Sequence, residues 1–123
     1  MPVAPAVQMN PFPENWELLE FSEAEPQLAD PGGVWFYNRV TFSTIRGEDE
    51  VRCAIEPAEY VLDLQWCRGG KELVSLAVRR VRGLMIEKNS GKEVLVVTLD
   101  NDHLLPLRVQ LKPSVHVFWG TGE

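Results

Sequence analysis

The sequence contains few of the residues that staple small proteins or bind metals. Its 123 residues include only two cysteines, Cys53 and Cys67, and two histidines, His103 and His116. The cysteines are fourteen positions apart, a spacing that fits neither a zinc-binding pair nor a redox Cys-x-x-Cys motif. We therefore expect two free thiols, with a disulfide between them as the alternative, and we expect no metal site and no cofactor.

Long apolar runs and targeting signals are also missing. No apolar stretch approaches the roughly 18 to 20 residues that a membrane-spanning helix needs. The N-terminus has neither the basic start nor the apolar centre of a secretory signal. These absences predict a cytoplasmic protein that does not contact a membrane. The length is sufficient for one domain with a core of its own.

Motifs of known catalytic mechanisms are lacking as well. The chain has no Gly-x-Ser-x-Gly elbow, no His-Glu-x-x-His motif and no phosphate-binding loop. Asp100-Asn101-Asp102 resembles the start of a calcium loop, but the later glycine and glutamate of that loop are absent. These observations favour a non-enzymatic protein. The alternative is a ligand-binding or hydrolytic domain that uses His103 between Asp100 and Asp102 as a general base.

Basic residues are absent from the first quarter of the chain. Residues 1–33 hold six carboxylates and no Lys or Arg, whereas the rest of the chain holds twelve acidic and twelve basic residues. The first quarter therefore accounts for the whole net charge of −6. It also contains six of the nine prolines, with apolar residues clustered at 16–21. We interpret residues 14–25 as an acidic docking segment that lies against the domain and ends before Pro26.

From residue 34 onward the sequence is typical of antiparallel strands. Alternating apolar residues, separated by Gly-rich or Asn-Ser-Gly turns, predict six or seven strands joined by turns of about four residues. The predicted strands cover 34–45, 50–55, 60–67, 93–99, 104–112 and 115–119, with a further strand in the stretch 72–88. That stretch is ambiguous: as a strand it needs a bulge or bend at Gly83, and as a helix it would cover 72–82.

The predicted fold is a mainly β single domain. It is a sandwich or a curved, partly closed sheet with one short helix, and an α+β fold is the alternative. Its predicted boundaries are 14–119, with a flexible Pro-rich stretch at 1–13 and a frayed end at 120–123.

A cluster of three arginines, Arg79, Arg80 and Arg82, is the main basic feature. Nucleic-acid binding usually needs a broad basic surface, and an acidic segment would repel nucleic acid. We expect these arginines to form ion pairs with the acidic docking segment instead, and we expect no nucleic-acid partner.

Aromatic and acidic residues together suggest a surface for another protein. Trp35, Tyr37 and Arg39 fall on the second face of the strand predicted over 34–45, and such residues dominate binding hot spots. Acidic charge would steer a basic partner, such as a nuclease-like toxin. We therefore expect a protein-binding module, either an immunity or antitoxin-type inhibitor or an assembly adaptor. An edge strand over Val115 to Trp119 could also support homo-oligomers. The predicted partner-binding residues are Trp16, Glu17, Glu20, Glu23, Trp35, Tyr37 and Arg39.

Overall fold

The computed structural model describes residues 9, 11–33, 37–101 and 103–120. Trp35, Asp102 and residues 121–123 of the predicted features lie outside these ranges. Within them the chain forms one α-helix, nine strands and a short 3₁₀ helix at Pro57–Glu59. The helix is α1 (Asn15–Ser22), and the strands are β1 (Gln27–Leu28), β2 (Val40–Arg46), β3 (Asp49–Glu56), β4 (Val61–Arg68), β5 (Lys71–Val78), β6 (Val81–Asn89), β7 (Lys92–Leu99), β8 (Leu107–Lys112) and β9 (His116–Phe118).

The strands form two antiparallel sheets in simple sequence order. One sheet has the order β1-β2-β3-β4-β5 and the other has the order β6-β7-β8-β9. Tight turns join many of the neighbouring strands. Between β4 and β5, Gly69 and Gly70 have positive φ angles of 57° and 80°, as expected for paired glycines in a hairpin turn. The prediction of a mainly β, antiparallel fold with one short helix is confirmed.

Each sheet contributes one face to a shared hydrophobic core. Period-two alternation places Phe42, Cys53 and Leu64 on the inner face of the first sheet, where all three are buried. Leu84 and Leu95 are buried on the inner face of the second sheet and belong to the same core. Cys53 and the half-buried Cys67 are both free thiols, so the disulfide alternative is wrong.

The ambiguous stretch 72–88 is neither one strand nor a helix. The chain leaves the first sheet after Val78 and enters the second sheet at Val81, so Arg79 and Arg80 form the crossover. Arg80 makes this break possible by adopting a left-handed backbone with φ of 61°. The helix alternative for 72–82 is therefore wrong. The bulge predicted at Gly83 is present, because the pairing of β6 with β7 shifts register between Val81 and Gly83.

The first long strand is shorter than predicted. β2 begins at Val40, and Tyr37 precedes it, so Tyr37 does not share a strand face with Arg39. The reason lies in Asn38, which is buried and whose side chain bonds to the backbone of Asp30. Asp30 N donates to Asn38 Oδ1 at 2.8 Å, and Asn38 Nδ2 donates to Asp30 O at 2.9 Å. The side chain of Asn38 thus makes the hydrogen bonds with Asp30 that a neighbouring strand's backbone would otherwise make.

The acidic docking segment forms α1 and packs onto the core. Glu14 is the N-cap, and its backbone N donates to Glu17 Oε1 at 2.8 Å. The helix ends at Ser22, well before Pro26, because Glu23 adopts a left-handed conformation with φ of 61°.

The packed body begins earlier than residue 14. Met9 is 2% exposed and belongs to the core, and Pro13 is buried as well. The backbone N of Leu84 donates to Pro11 O at 2.7 Å. Apolar burial and a backbone hydrogen bond thus place these residues against the core and the second sheet, whereas the flexibility predicted over 1–13 stays a prediction.

Candidate functional site

The outward face of α1 carries exposed apolar residues beside carboxylates. The helix buries Leu18, Phe21 and Ser22, which lie three and four positions apart on one side. The opposite side therefore presents Trp16, which is 61% exposed, and Leu19, which is 42% exposed. We call Trp16, Glu17 and Leu19 the helix surface.

Two of the predicted partner-binding carboxylates are engaged within the protein. Glu20 pairs with Lys88, and Glu23 Oε1 accepts a hydrogen bond from Arg46 Nη1 at 2.9 Å. Lys112 Nζ lies 3.6 Å from Glu23 Oε2 and donates to the backbone oxygen of Glu20 at 2.9 Å. These contacts fasten the C-terminal half of α1 to the hairpin β2–β3 and to the second sheet.

These contacts correct the prediction of which basic residues form ion pairs with the acidic docking segment. Its carboxylates pair with Arg46, Lys88 and Lys112 rather than with Arg79, Arg80 or Arg82. Arg82 instead pairs with Asp100, with Nη2 and Oδ1 2.8 Å apart. The hydrogen bond from Arg82 holds the pKa of the Asp100 carboxyl below its ordinary value.

The helix surface keeps part of the acidic charge available. Within the described chain, Glu14, Glu17, Glu25 and Asp30 form no ion pair, while Glu20 and Glu23 do. Trp16 and Leu19 therefore lie next to uncompensated negative charge at the N-terminal part of the helix.

Tyr37 and Arg39 lie apart from the anchored end of α1. Arg39 immediately precedes β2, whereas Arg46, the partner of Glu23, ends it. Seven positions along a strand correspond to about 24 Å at ~3.4 Å per residue. Arg39 is held between Glu56, at 2.6 Å, and Asp63, at 3.2 Å. Tyr37 is 74% exposed.

The structure describes two members of the predicted catalytic trio, His103 and Asp100. His103 is exposed in a turn, where its backbone N donates to Asn101 Oδ1 at 2.8 Å, and Asp100 is occupied by Arg82. Asp102 lies outside the described residues. His116 is an exposed residue of β9, where its ring stacks on that of Phe118 with centroids 5.8 Å apart. Neither histidine lines the two larger cavities described below.

An exposed apolar patch beside β9 was missed as a site, although its strand was predicted. Leu105, Phe118 and Trp119 are 42–50% exposed and line an open cavity of about 570 Å³. Trp119 Nε1 donates to Leu105 O at 3.1 Å, and Leu105 N donates to Gly120 O at 3.0 Å. β9 is an edge of the second sheet. The signal in the sequence was the pair Phe118-Trp119 at the end of a short edge strand.

A second cavity of about 570 Å³ lies at the crossover between the sheets. It is bounded by the segment that precedes β4, the crossover arginines and the residue after β7. The lining residues are Glu59, Tyr60, Val61, Arg79, Arg80, Val81, Arg82 and Asp100.

Two negative findings concern metals and membranes. Among the residues that the structure describes, no group of three or more His, Cys, Asp and Glu side chains could hold a metal ion. The helical segments in the described ranges are too short and too polar to cross a bilayer.

Comparison with known proteins gives one informative likeness, to a solved structure. Neither a protein-family model nor a curated protein matches the sequence. The fold is similar to that of a chain from a contact-dependent growth inhibition toxin–immunity protein complex of Klebsiella pneumoniae 342. The TM-score is 0.79, the sequence identity is 13%, and the match covers 94% of this chain and 100% of the other. The likeness establishes a shared fold.

Proposed function

We propose that this chain is an immunity-type inhibitor, a protein that binds a toxin and blocks its action. The observation that carries the proposal is the likeness, over nearly the whole of both chains, to a component of a toxin–immunity protein complex. The net charge of −6 supports the inhibitory role over the toxic one, because nuclease-like toxins that act on nucleic acid are expected to be basic.

The helix surface is the part of the molecule that we propose as the contact with the toxin. Trp16 offers a large apolar side chain, of the kind that dominates the binding energy of protein interfaces. Unpaired carboxylates beside it would attract a basic partner and accelerate association. The acidic charge is placed on a folded element, which loses little conformational freedom when it binds.

On the basis of the anchoring contacts we propose different roles for the predicted residues. Trp16, Glu17 and Leu19 would meet the partner, whereas Glu20 and Glu23 would hold the helix in place through their ion pairs. Tyr37 and Arg39 remain proposed contacts on a separate part of the surface. Trp35, which lies outside the described residues, stays a predicted contact. An assembly adaptor that uses the same helix surface is the second form of this proposal.

The decisive experiment tests this chain against a candidate toxin domain, chosen from the genes that neighbour its own in the native genome. Co-production of the chain with that domain should restore growth, and the two purified proteins should elute as one complex from a sizing column. Failure of both would reject the inhibitory function. A complex without protection of growth would favour the adaptor.

Variants then test the helix surface. Trp16→Ala should weaken the complex by about tenfold or more, as truncation of an interface tryptophan usually does. Glu17→Gln should mainly slow association, and the loss should shrink in high salt. Trp119→Ala is the matched control, because it removes another exposed tryptophan from the patch beside β9. If only Trp119→Ala weakens the complex, the function stands and the helix surface is the wrong site.

Self-association and location remain predictions. The exposed Phe118 and Trp119 beside edge strand β9 favour pairing of two copies through that edge. Light scattering of the purified protein, compared with that of Trp119→Ser, would detect it. We retain the cytoplasm as the expected place of action, since that is where an inhibitor of an incoming nuclease would be needed.

A further inference from the structure

The cavity at the crossover between the two sheets has a charge that sets it apart from the rest of the molecule. Its lining combines three arginines with two carboxylates, Glu59 and Asp100, on a protein whose net charge is −6. Val61 and Val81 supply an apolar wall between these charged groups. The volume of about 570 Å³ lies within the range of small-molecule sites in proteins.

Two of the three arginines have guanidinium groups available for a ligand. Among the described residues, seven of the twelve cationic side chains form ion pairs, Arg82 with Asp100 among them. In the part of the chain that the structure describes, Arg79 and Arg80 form none, and both are exposed. Of the two carboxylates in the lining, Asp100 is already occupied by Arg82 at 2.8 Å.

The backbone that presents these arginines is held in an unusual conformation. Arg80 has a φ of 61°, which non-glycine residues adopt rarely and which is concentrated at ligand-binding and active sites. Its carbonyl oxygen accepts a hydrogen bond from Asp100 N at 2.9 Å, and Val81 N donates to Tyr60 O at 2.9 Å. The crossover is thereby fixed to both sheets, so the site exists before a ligand arrives.

We propose that this cavity binds a compact organic anion, a phosphate monoester or a carboxylate, with a small apolar body. Arg79 and Arg80 donate hydrogen bonds to the anionic oxygens, since the planar guanidinium matches the geometry of both groups. Arg82 stays on Asp100 and keeps that carboxylate from competing for the two arginines. Val61, which is half-buried, contacts the apolar body. The site requires no toxin, so its failure and the failure of the inhibitory function are separate results.

The position of the site also separates it from the anchored end of α1. Along β6, Arg82 lies near the start and Lys88, the partner of Glu20, near the end. Six positions correspond to about 20 Å of strand. A ligand in the cavity therefore leaves the anchoring contacts of α1 intact.

The test is titration of the full chain with phenyl phosphate, monitored by NMR of the backbone amides and by calorimetry. Phenyl phosphate should bind and shift the amides of Val61, Val81 and Arg82. Phenol, which lacks the anion, and inorganic phosphate, which lacks the apolar body, should each bind more weakly. Benzoate in a parallel titration distinguishes a carboxylate site from a phosphate site, and binding of either anion supports the proposal.

The variants supply the specificity control. Arg79→Gln combined with Arg80→Gly, where glycine retains the backbone conformation, should weaken binding by about tenfold or more. Arg52→Gln combined with Lys92→Gln removes the same number of positive charges from residues that form no ion pair in the described chain, and it should leave binding unchanged. Equal weakening by both double variants would mean nonspecific attraction and would overturn the site. The site would also be overturned if the amide shifts occurred elsewhere, or if neither phenyl phosphate nor benzoate bound.

Discussion

The ring of Phe21 on α1 meets the ring of Phe42 on β2 edge-on, with centroids 6.0 Å apart and an interplanar angle of 76°. Both side chains are almost fully buried, at 1% and 2% exposure. An edge-to-face pair of this kind is stabilising beyond the burial of its area. The acidic segment is thus an integral part of the core, through a residue five positions from the exposed Trp16.

This contact predicts that α1 contributes strongly to stability. Phe21→Ala should lower the free energy of unfolding by about 3 to 5 kcal/mol, because it removes a buried aromatic ring and leaves a cavity. Urea denaturation followed by tryptophan fluorescence measures the change. Leu19→Ala, on the exposed side of the same helix, is the control and should cost less than about 1 kcal/mol. Equal losses from the two variants would show that α1 is not packed as described.

The buried thiol of Cys53 predicts loss of stability at alkaline pH. Burial, and secondarily the negative charge of Asp63, raise the pKa of Cys53 far above the ordinary value of 9.0. Above pH 9 the unfolded thiol ionises while the folded one stays protonated, so the free energy of unfolding falls as pH rises. The slope contributed by Cys53 is at most about 1.4 kcal/mol per pH unit.

Denaturation at pH 8 to 10.5 under reducing conditions tests this dependence. Cys53→Ala should remove this part of the slope, although it also lowers the stability at neutral pH by leaving a small cavity. Cys67→Ala should retain the slope. A wild-type curve parallel to that of Cys53→Ala would contradict the prediction.

The hydrogen bonds of Asp49 predict that the free energy of unfolding depends on pH in the acidic range. Hydrogen bonds from Arg68, at 2.8 Å, and from the indole of Trp66, at 2.9 Å, hold the pKa of Asp49 below its ordinary value of 3.8. Its contribution to stability is therefore present above pH 3.8 and disappears as pH falls through the lowered pKa. Asp49→Asn should be less stable than the wild type at pH 7, and the two should converge on acidification.

The indole N–H resonance of Trp66 provides a local readout of the same contact. It should move with pH in the wild type below pH 3.8 and stay constant in Asp49→Asn. Glu50→Gln, at the neighbouring position and without an ion pair in the described chain, should behave like the wild type. A Trp66 resonance that titrates equally in Asp49→Asn would rule out this assignment.

The turn between β6 and β7 offers a stabilising substitution. Ser90 and Gly91 connect the paired residues Asn89 and Lys92, and their φ angles are 55° and 80°. Two positive φ angles in a two-residue loop define a type I′ turn, for which Asn-Gly is strongly preferred. Ser90→Asn should raise the free energy of unfolding by about 0.5 kcal/mol. Ser90→Val should lower it by about 1 kcal/mol, because a β-branched side chain is poorly accommodated at positive φ. Thermal denaturation distinguishes the two, and the same sign for both would count against the turn type.

Most strands could be predicted because their signals are local. The alternation around Cys53, the paired glycines at 69 and 70 and the bulge at Gly83 depend on neighbouring residues only, and all three are present. The start of β2 could not be predicted, since it depends on Asn38 bonding to Asp30, eight positions away. The boundary between β5 and β6 at Arg79 and Arg80 could not be predicted either, because arginine gives no signal for a left-handed backbone.

The candidate surfaces depended more strongly on long-range contacts. The sequence indicated that Trp16 and the glutamates share a segment, but the partners that it suggested for the segment, Arg79, Arg80 and Arg82, were the wrong ones. Lys112 is 92 positions from Glu20 in the chain and donates to its backbone oxygen. Such a pairing arises only once α1 has been placed against both sheets.

By itself, the sequence determined a mainly β domain with an acidic, apolar segment at its start. Side-chain alternation, turn residues and charge composition act over a few residues, so they can be recognised in the sequence without knowledge of the fold. The tertiary structure alone decided which charges are neutralised and which stay available. Close packing of α1 brought Glu20 and Glu23 to Lys88, Lys112 and Arg46, and it left Arg79 and Arg80 unpaired beside a cavity. An ion pair requires its two groups within about 4 Å, and chain folding sets that distance.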